Sequence, residues 1–304
     1  MIKRITVTNY LGESIDLELA RPEKSGFVVK SITGLGPGKA NVNVSEVSTT
    51  DGGTFNSARL SSRNIVLSLG FLRKDTIEET RYRSYKYFPL KKKVSLLIET
   101  DTRRAEIEGI VESNEPNIWS KSEGADISIV CPNPYFQSGG KDGIQSTLFY
   151  GVSPLFEFPF SNDSLTDDML LFGSINNNTE QLITYKGDAE VGITISIHAM
   201  DEATNVAIYN IRTREIMRID TDKLAVLTGS GIKKGDDIVI CTEKGKKSIT
   251  LTRDGETINI LNCLDRDADW FQLTKGDNIF AYTAETGSNK LQFKIDNRVL
   301  YEGV

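Results

Sequence analysis

The chain is predicted to be mainly β and to fold as two domains, on three observations. It has 304 residues, about twice the usual domain length, so two separate hydrophobic cores are expected. Apolar residues recur with a period of two along much of the chain, the repeat of a strand with one buried face. Turn-forming residues concentrate near the middle, in Cys131-Pro132-Asn133-Pro134 and Ser138-Gly139-Gly140-Lys141-Asp142-Gly143. They place a joint within residues 132–143, between a domain of residues 1–137 and one of residues 138–304.

In the first half Ile65, Leu67, Leu69 and Phe71 alternate with Val66, Ser68 and Gly70. Val94/Leu96/Ile98 repeat the pattern, as do Ala105/Ile107/Gly109/Val111. Between these runs lies one helical segment. Asp75 followed by Glu78 resembles a capping box, and Pro89 ends the run. Ile77, Phe88, Tyr85 and Tyr82 would form an apolar stripe packed on the sheet. Glu79 and Arg83, at i,i+4, are placed for a weak ion pair. In the second half the strand runs are Val191/Ile193/Ile195/Ile197, Ile249/Leu251, Ile258/Ile260, Ile279/Ala281 and Leu291/Phe293/Ile295. Lys244-Gly245 and Asp254-Gly255 sit between apolar runs as hairpin turns. Many strands with short turns read as a β-sandwich.

Composition excludes much chemistry. Lys+Arg number 36 and Asp+Glu 42, a net charge of −6. Residues 1–143 carry 20 basic and 18 acidic side chains, and residues 144–304 carry 16 and 24, so the halves stand at +2 and −8. The acidic half is a poor nucleic-acid partner. No apolar run approaches the ~18 residues of a spanning helix, so no membrane insertion is expected. Met1-Ile2-Lys3-Arg4 opens no signal-peptide core. One histidine and three scattered cysteines, Cys131, Cys241 and Cys263, supply neither a zinc site nor a disulfide framework.

The motifs that invite chemistry are better read structurally. Gly34-Leu35-Gly36-Pro37-Gly38-Lys39-Ala40 lacks the spacing and the hydroxyl of a phosphate loop, and its glycines suit a tight loop. Asp265-Arg266-Asp267-Ala268-Asp269 opens like a calcium loop, but Trp270 and Gly276 stand where the pattern needs Gly and Glu; a solvated acidic turn is expected. His198 ends a strand on its outer face and has no serine motif to serve. Cys131 reads as a buried apolar residue. Lys91-Lys92-Lys93 would guard a sheet edge or meet an acidic neighbour. Trp119 and Trp270 could anchor an interface or stack on a sugar, although most tryptophans are largely buried. No catalytic residue and no cofactor site is expected.

Taken in order, a series of short segments resembles the distal tail protein of tailed bacteriophages. In the first half these are Ile32-Thr33-Gly34-Leu35-Gly36, Asp51-Gly52, Ser57-Ala58-Arg59 and Arg63-Asn64-Ile65-Val66-Leu67. Arg81-Tyr82-Arg83-Ser84-Tyr85, Gly109-Ile110-Val111-Glu112 and Cys131-Pro132-Asn133-Pro134-Tyr135-Phe136 follow. The second half adds Gly192-Ile193-Thr194-Ile195, Asn210-Ile211-Arg212-Thr213, Trp270-Phe271-Gln272-Leu273, Gly276-Asp277-Asn278 and Tyr301-Glu302-Gly303-Val304.

The resemblance implies an N-terminal tail-tube-like β-sandwich or split barrel with one helix, and a C-terminal galectin-like β-sandwich. It implies a homohexameric ring at the virion tail tip, made in the bacterial cytoplasm. The ring would join the tail-tube protein to a tail-tip or tail-associated protein, with tape-measure and receptor-binding proteins as further partners. Ring contacts are assigned to Arg81, Tyr82, Tyr85 and Lys91. The alternative is a carbohydrate-binding module using Trp270, against which the galectin His-x-Asn-Pro-Arg motif is missing: His198 precedes Ala199-Met200-Asp201.

Overall fold

Ile65, Leu67 and Leu69 are buried along one face of a single strand, as their spacing requires. In the computed structural model, residues 1–46, 51–73, 76–120, 122–154 and 173–304 are described. The chain divides into two compact units: Met1–Gly143 with Val299–Val304, and Ile144–Arg298. Residues 138–143 and 299–304 thus lie with the first unit rather than in the second domain expected from sequence.

In the first unit the strands are β1 (Ile2–Thr8), β2 (Ser14–Glu18), β3 (Phe27–Thr33), β4 (Ala40–Glu46), β5 (Gly53–Leu60) and β6 (Arg63–Phe71). Helix α1 (Ile77–Tyr87) follows, then β7 (Lys93–Thr100), β8 (Arg104–Pro116), β9 (Gly124–Cys131) and β10 (Phe136–Ser138). One antiparallel sheet runs β2-β1-β7-β8-β9-β6-β3. Ile5 and Val7 of β1 share a buried cluster with Ile65 and Leu67 of β6, although three strands separate β1 from β6. The sheet therefore curls over its own core. β10 pairs with β8 and with the terminal strand Leu300–Tyr301.

The glycines at 139–143 belong to this packing and are not a loose linker. Gly139 donates to the carbonyl of Arg104 at 2.9 Å, and at Gly143 a Cβ would meet the Ser138 carbonyl oxygen at 2.3 Å, a backbone contact that excludes a larger residue. Strands β4 and β5 leave the sheet altogether and pair only with each other, as a two-stranded arm.

Helix α1 corrects two expectations. Asp75 lies outside the described residues; the N-cap is Thr76, whose hydroxyl accepts from the Glu79 amide at 3.1 Å. The buried helix residues are Thr80 and Ser84, continued by Phe88, whereas Tyr82 and Tyr85 are exposed. Small hydroxyl residues allow close approach and bond to backbone carbonyls, Thr80 to Leu72 and Ser84 to Arg81. Arg83 turns from Glu79 to lie over the Phe27 ring, 5.7 Å from its centre.

The second unit contains β11 (Ile144–Leu148), β12 (Tyr150–Pro154), β13 (Gly173–Asn177), β14 (Glu180–Tyr185), β15 (Val191–Gly192), β16 (Thr194–Ala199), β17 (Val206–Asn210) and β18 (Glu215–Ile219). Helix α2 (Thr221–Thr228) precedes β19 (Asp237–Cys241), β20 (Ser248–Arg253), β21 (Glu256–Asn259), β22 (Gln272–Leu273), β23 (Gly276–Thr283) and β24 (Leu291–Arg298). A six-stranded sheet, β11-β24-β16-β19-β20-β21, faces a four-stranded one, β14-β23-β17-β18. Tyr282 of the smaller sheet stacks on Phe293 of the larger, with centroids 3.8 Å apart.

The turns at Lys244-Gly245 and Asp254-Gly255 join β19 to β20 and β20 to β21. On β23 the buried residues are Asn278, Phe280 and Tyr282 rather than Ile279 and Ala281. Both faces of that strand are apolar, so a period of two could not say which was inside. Helix α2 is too short to show a helical periodicity in the sequence. Its caps are nonetheless plain: Asp220 accepts from the amides of Asp222 and Lys223, and Gly229 ends it in the left-handed conformation.

Cys131 is fully buried, and burial pushes its thiol up to about 11. In the unfolded chain the thiol ionises near its ordinary value of 9. Between these two values the unfolded state holds fewer protons, so stability falls as pH rises. Urea unfolding between pH 9 and 11 should show an alkaline loss of up to ~3 kcal/mol from this group. The pH slope should shrink by that amount in Cys131→Ala, whatever its absolute stability.

Candidate assembly surfaces

Exposed apolar and basic side chains gather where the end of α1 meets the β1–β2 turn. The Asn9 side chain donates to the Lys86 carbonyl at 3.1 Å, and Lys86 pairs with Glu13 at 2.7 Å. These contacts hold Tyr10 and Leu11 beside the helix end, with Tyr10 and Leu11 themselves exposed. Lys92 lies over the Tyr10 ring, 5.3 Å from its centre. On α1, Tyr82 and Tyr85 form an edge-to-face pair at 6.0 Å. The Tyr82 hydroxyl donates to Glu78 at 3.1 Å, which holds its phenol protonated above the ordinary range. Exposed tyrosines already fixed by their neighbours lose little entropy when a partner covers them.

Of the four residues assigned to ring contacts, three are presented outward. Tyr82, Tyr85 and Lys91 are exposed. Lys91 adopts φ 61° as its amide donates to the Val111 carbonyl, which fixes the turn into β7. Arg81 is different. It is largely covered and lies 3.7 Å from Glu78 and 3.6 Å from Glu123, so its charge is engaged inside the unit. Lys91-Lys92-Lys93 does not guard a sheet edge, because β7 runs between β1 and β8.

The glycine-rich loop proves to be half of a cage for Arg63. This guanidinium is only 6% exposed. Its Nε donates to the Pro134 carbonyl at 2.7 Å and its Nη2 to the Glu302 carbonyl at 2.6 Å. Nη1 donates to the carbonyls of Gly34 and Gly36. The cation also lies over the Phe136 ring at 4.7 Å. Gly34 has φ +83°, and a Cβ there would meet the Asn64 carbonyl at 2.2 Å. The loop is bent to offer carbonyls to a cation, the reverse of a phosphate cradle. One residue thereby ties together the base of the β4–β5 arm, the Cys131–Pro134 turn and the chain's last segment. Sequence placed Arg63 in the resemblance but gave it no task.

Trp119 is 98% exposed, with Ile118 half exposed beside it. It stands on the β8–β9 loop, closed at its base where the Asn117 amide meets the Gly124 carbonyl at 2.9 Å. The expectation of a largely buried tryptophan fails here, because a short loop gives the indole nothing to pack on.

In the second unit Trp270 is partly buried, with Lys247 5.1 Å above its ring. It borders an open depression of about 410 Å³ that includes Lys223, Asn262 and Asp265. The Asp265–Asp269 turn is stapled down by Asp269, which accepts from the Ile216 amide at 3.0 Å. Among the described residues no group of three or more His, Cys, Asp or Glu is placed to hold a metal ion. His198 is half exposed and its Nδ1 lies 2.7 Å from Asp237. Among the described residues no helix is long and apolar enough to cross a membrane.

Residues 186–298 match the family model described as the siphovirus-type tail component, C-terminal domain. The crystal structure of the Dit protein (gp 19.1) of SPP1, described as a paradigm of the hub adsorption apparatus in phages infecting Gram-positive hosts, is similar over nearly the whole chain. The match covers 97% of this chain and 98% of that one at 12% identity, with a TM-score of 0.66. A chain of the phage P2 baseplate in its activated conformation with calcium is also similar, at 12% identity and a TM-score of 0.50, covering 98% of each chain. No curated protein sequence gives a significant match. The mainly β fold is that of a distal tail protein, and the resemblance read from the sequence is borne out. The matched proteins are structural components of phage tails and baseplates.

Proposed function

We propose that this chain is a distal tail protein that forms a homohexameric ring joining the tail tube to the tail-tip apparatus. The observation that carries the reading is a first unit with two separate uncovered surfaces, the α1 patch and the β4–β5 arm, on a fold shared end to end with a known hub protein. Closing a ring requires one face of a subunit to meet a different face of the next. The α1 patch, through Tyr82, Tyr85 and Lys91, supplies one such face, and Arg81 holds the helix in place beneath it. The acidic second unit is assigned the attachment of receptor-binding or other baseplate proteins. The protein has no catalytic task in this reading.

Electron microscopy of the purified chain mixed with its cognate tail-tube protein tests the joining role. Rings seated at tube ends support it, and free tubes beside free protein refute it. Tyr82→Ser combined with Tyr85→Ser is expected to weaken self-association at least tenfold by removing two interface anchors. Sedimentation across a concentration series measures this, and the melting temperature taken at concentrations where the chain is monomeric should be unchanged because both tyrosines are already exposed. The carbohydrate reading rests on Trp270 alone, whose ring lies under Lys247. Glycan binding abolished by Trp270→Ala would revive it.

A further inference from the structure

The β4–β5 arm is amphipathic, and its apolar face is bare. The register pairs Ala40 with Leu60, Val42 with Ala58, and Val44 with Phe55. Cross-strand partners project to the same side, so these six apolar residues line one face. Asn41 with Arg59, Asn43 with Ser57, and Ser45 with Thr54 line the other. A bulge at Asn56 keeps the two sets apart, and its amide bonds Ser45 at 2.6 Å on the polar side. Every β4 residue and all of β5 but Leu60 are exposed. Val42 is 57%, Val44 47% and Phe55 63% exposed.

An isolated two-stranded ribbon is marginal in water, and a continuous apolar face marks a binding surface. Seven residues in β4 at about 3.3 Å each extend roughly 23 Å, enough to reach across a neighbouring molecule. The arm's outer end is acidic, with Glu46 and Asp51 exposed. The α1 patch has the opposite character: exposed Tyr82, Tyr85 and Leu90 beside exposed Lys91 and Lys92. The same chain therefore carries an apolar ribbon with an acidic outer end and an apolar helix face with a basic margin at its C-terminal end, Glu78 and Glu79 lying at the other end.

We infer that the arm docks onto the α1 patch of a second copy of this chain, its Val42/Val44/Phe55 face covering Tyr82 and Tyr85 and its acidic end meeting Lys91 and Lys92. This contact is heterologous and propagates from copy to copy. It deepens the ring reading and rests on it. The Arg63 cage, at the arm's base, sets the direction in which the arm leaves the unit.

The test uses the full chain with introduced cysteines. Val44→Cys and Tyr85→Cys are made singly and together, oxidised, and separated without reductant. The double variant should give a ladder of covalent oligomers ending at a closed ring, and the two single variants should crosslink only when mixed. Crosslinking of Val44→Cys to itself would show arm-to-arm pairing and overturn the inference. A wild-type ring with no crosslink in any variant would overturn the arm contact and leave the ring standing. A wild type that stays monomeric at every concentration would overturn both. As a second variant, Phe55→Asp should raise the dissociation constant for assembly at least tenfold, with the melting temperature of the dilute, monomeric chain unchanged. Unchanged assembly would remove the arm from the interface.

Discussion

Replacing Arg63 with methionine should destabilise the first unit by about 3–5 kcal/mol, the largest effect expected of any single substitution there. The side chain donates to four backbone carbonyls, those of Gly34, Gly36, Pro134 and Glu302. Methionine keeps much of the bulk and leaves all four acceptors without their donor. Each orphaned buried acceptor costs about 1–3 kcal/mol, and water reaching some of them lowers the sum. Arg63→Lys should recover less than half, since a single ammonium cannot span a fork built for a planar guanidinium. Hydrogen exchange followed by mass spectrometry provides the readout. Peptides covering residues 34–38, 131–136 and 299–304 should exchange together and faster in both variants. Exchange confined to one of the three segments would show that Arg63 does not couple them. Burial lowers the Arg63 pKa from its ordinary value, but a guanidinium remains charged throughout the accessible range, so no pH dependence is expected from it.

In the second unit the comparable effect belongs to Arg253. It meets Asp236 through two bonds, Nε to Oδ1 at 2.8 Å and Nη2 to Oδ2 at 2.5 Å. Asp236 is 1% exposed. The same guanidinium donates to Ser230 at 2.7 Å and to the Gly231 carbonyl at 2.7 Å. It thus fastens the segment that follows α2 to the end of β20. Arg253→Ala strands a buried carboxylate and should cost about 3–5 kcal/mol. Arg253→Met with Asp236→Leu removes both charges and should recover a substantial part, since the stranded charge is the main penalty. Urea unfolding followed by Trp270 fluorescence reports on this unit, because the fully exposed Trp119 changes little on unfolding. A double variant as unstable as Arg253→Ala would show that the lost bonds to the 228–231 segment dominate instead.

Much of the architecture was legible because period-two burial is written into the residues themselves. Ile65/Leu67/Leu69, Val94/Leu96/Ile98 and Ile193/Ile195/Ile197 all face inward as their spacing requires. The period failed where both faces are apolar, as at Ile279 and Phe280, since alternation then carries no sign. It also misplaced Tyr82 and Tyr85. A helix packed close against a sheet can bury Thr80 and Ser84 and turn its aromatics outward, and hydrophobicity alone does not show this. The Asp220 and Gly229 caps of α2 were readable, but eight residues gave too short a run to stand out.

The assembly surfaces divide in the same way. The alternation Ala40/Val42/Val44 against Phe55/Ala58/Leu60 was present in the sequence, but nothing in it says that a strand pair leaves its sheet. The Arg63 cage draws on residues 34, 36, 134 and 302, whose convergence exists only once the chain has folded. A buried cation held by carbonyls leaves no local motif beyond the glycines that bend toward it.

The ring is tested most directly by the mass of the purified 304-residue chain in solution, measured by light scattering across a range of micromolar concentrations. The account predicts a discrete species at six times the 33.7 kDa of one chain, shifted toward monomer by Tyr82→Ser with Tyr85→Ser and by Phe55→Asp. A chain that remains monomeric throughout that range, or that settles as a symmetric dimer indifferent to those substitutions, would contradict it.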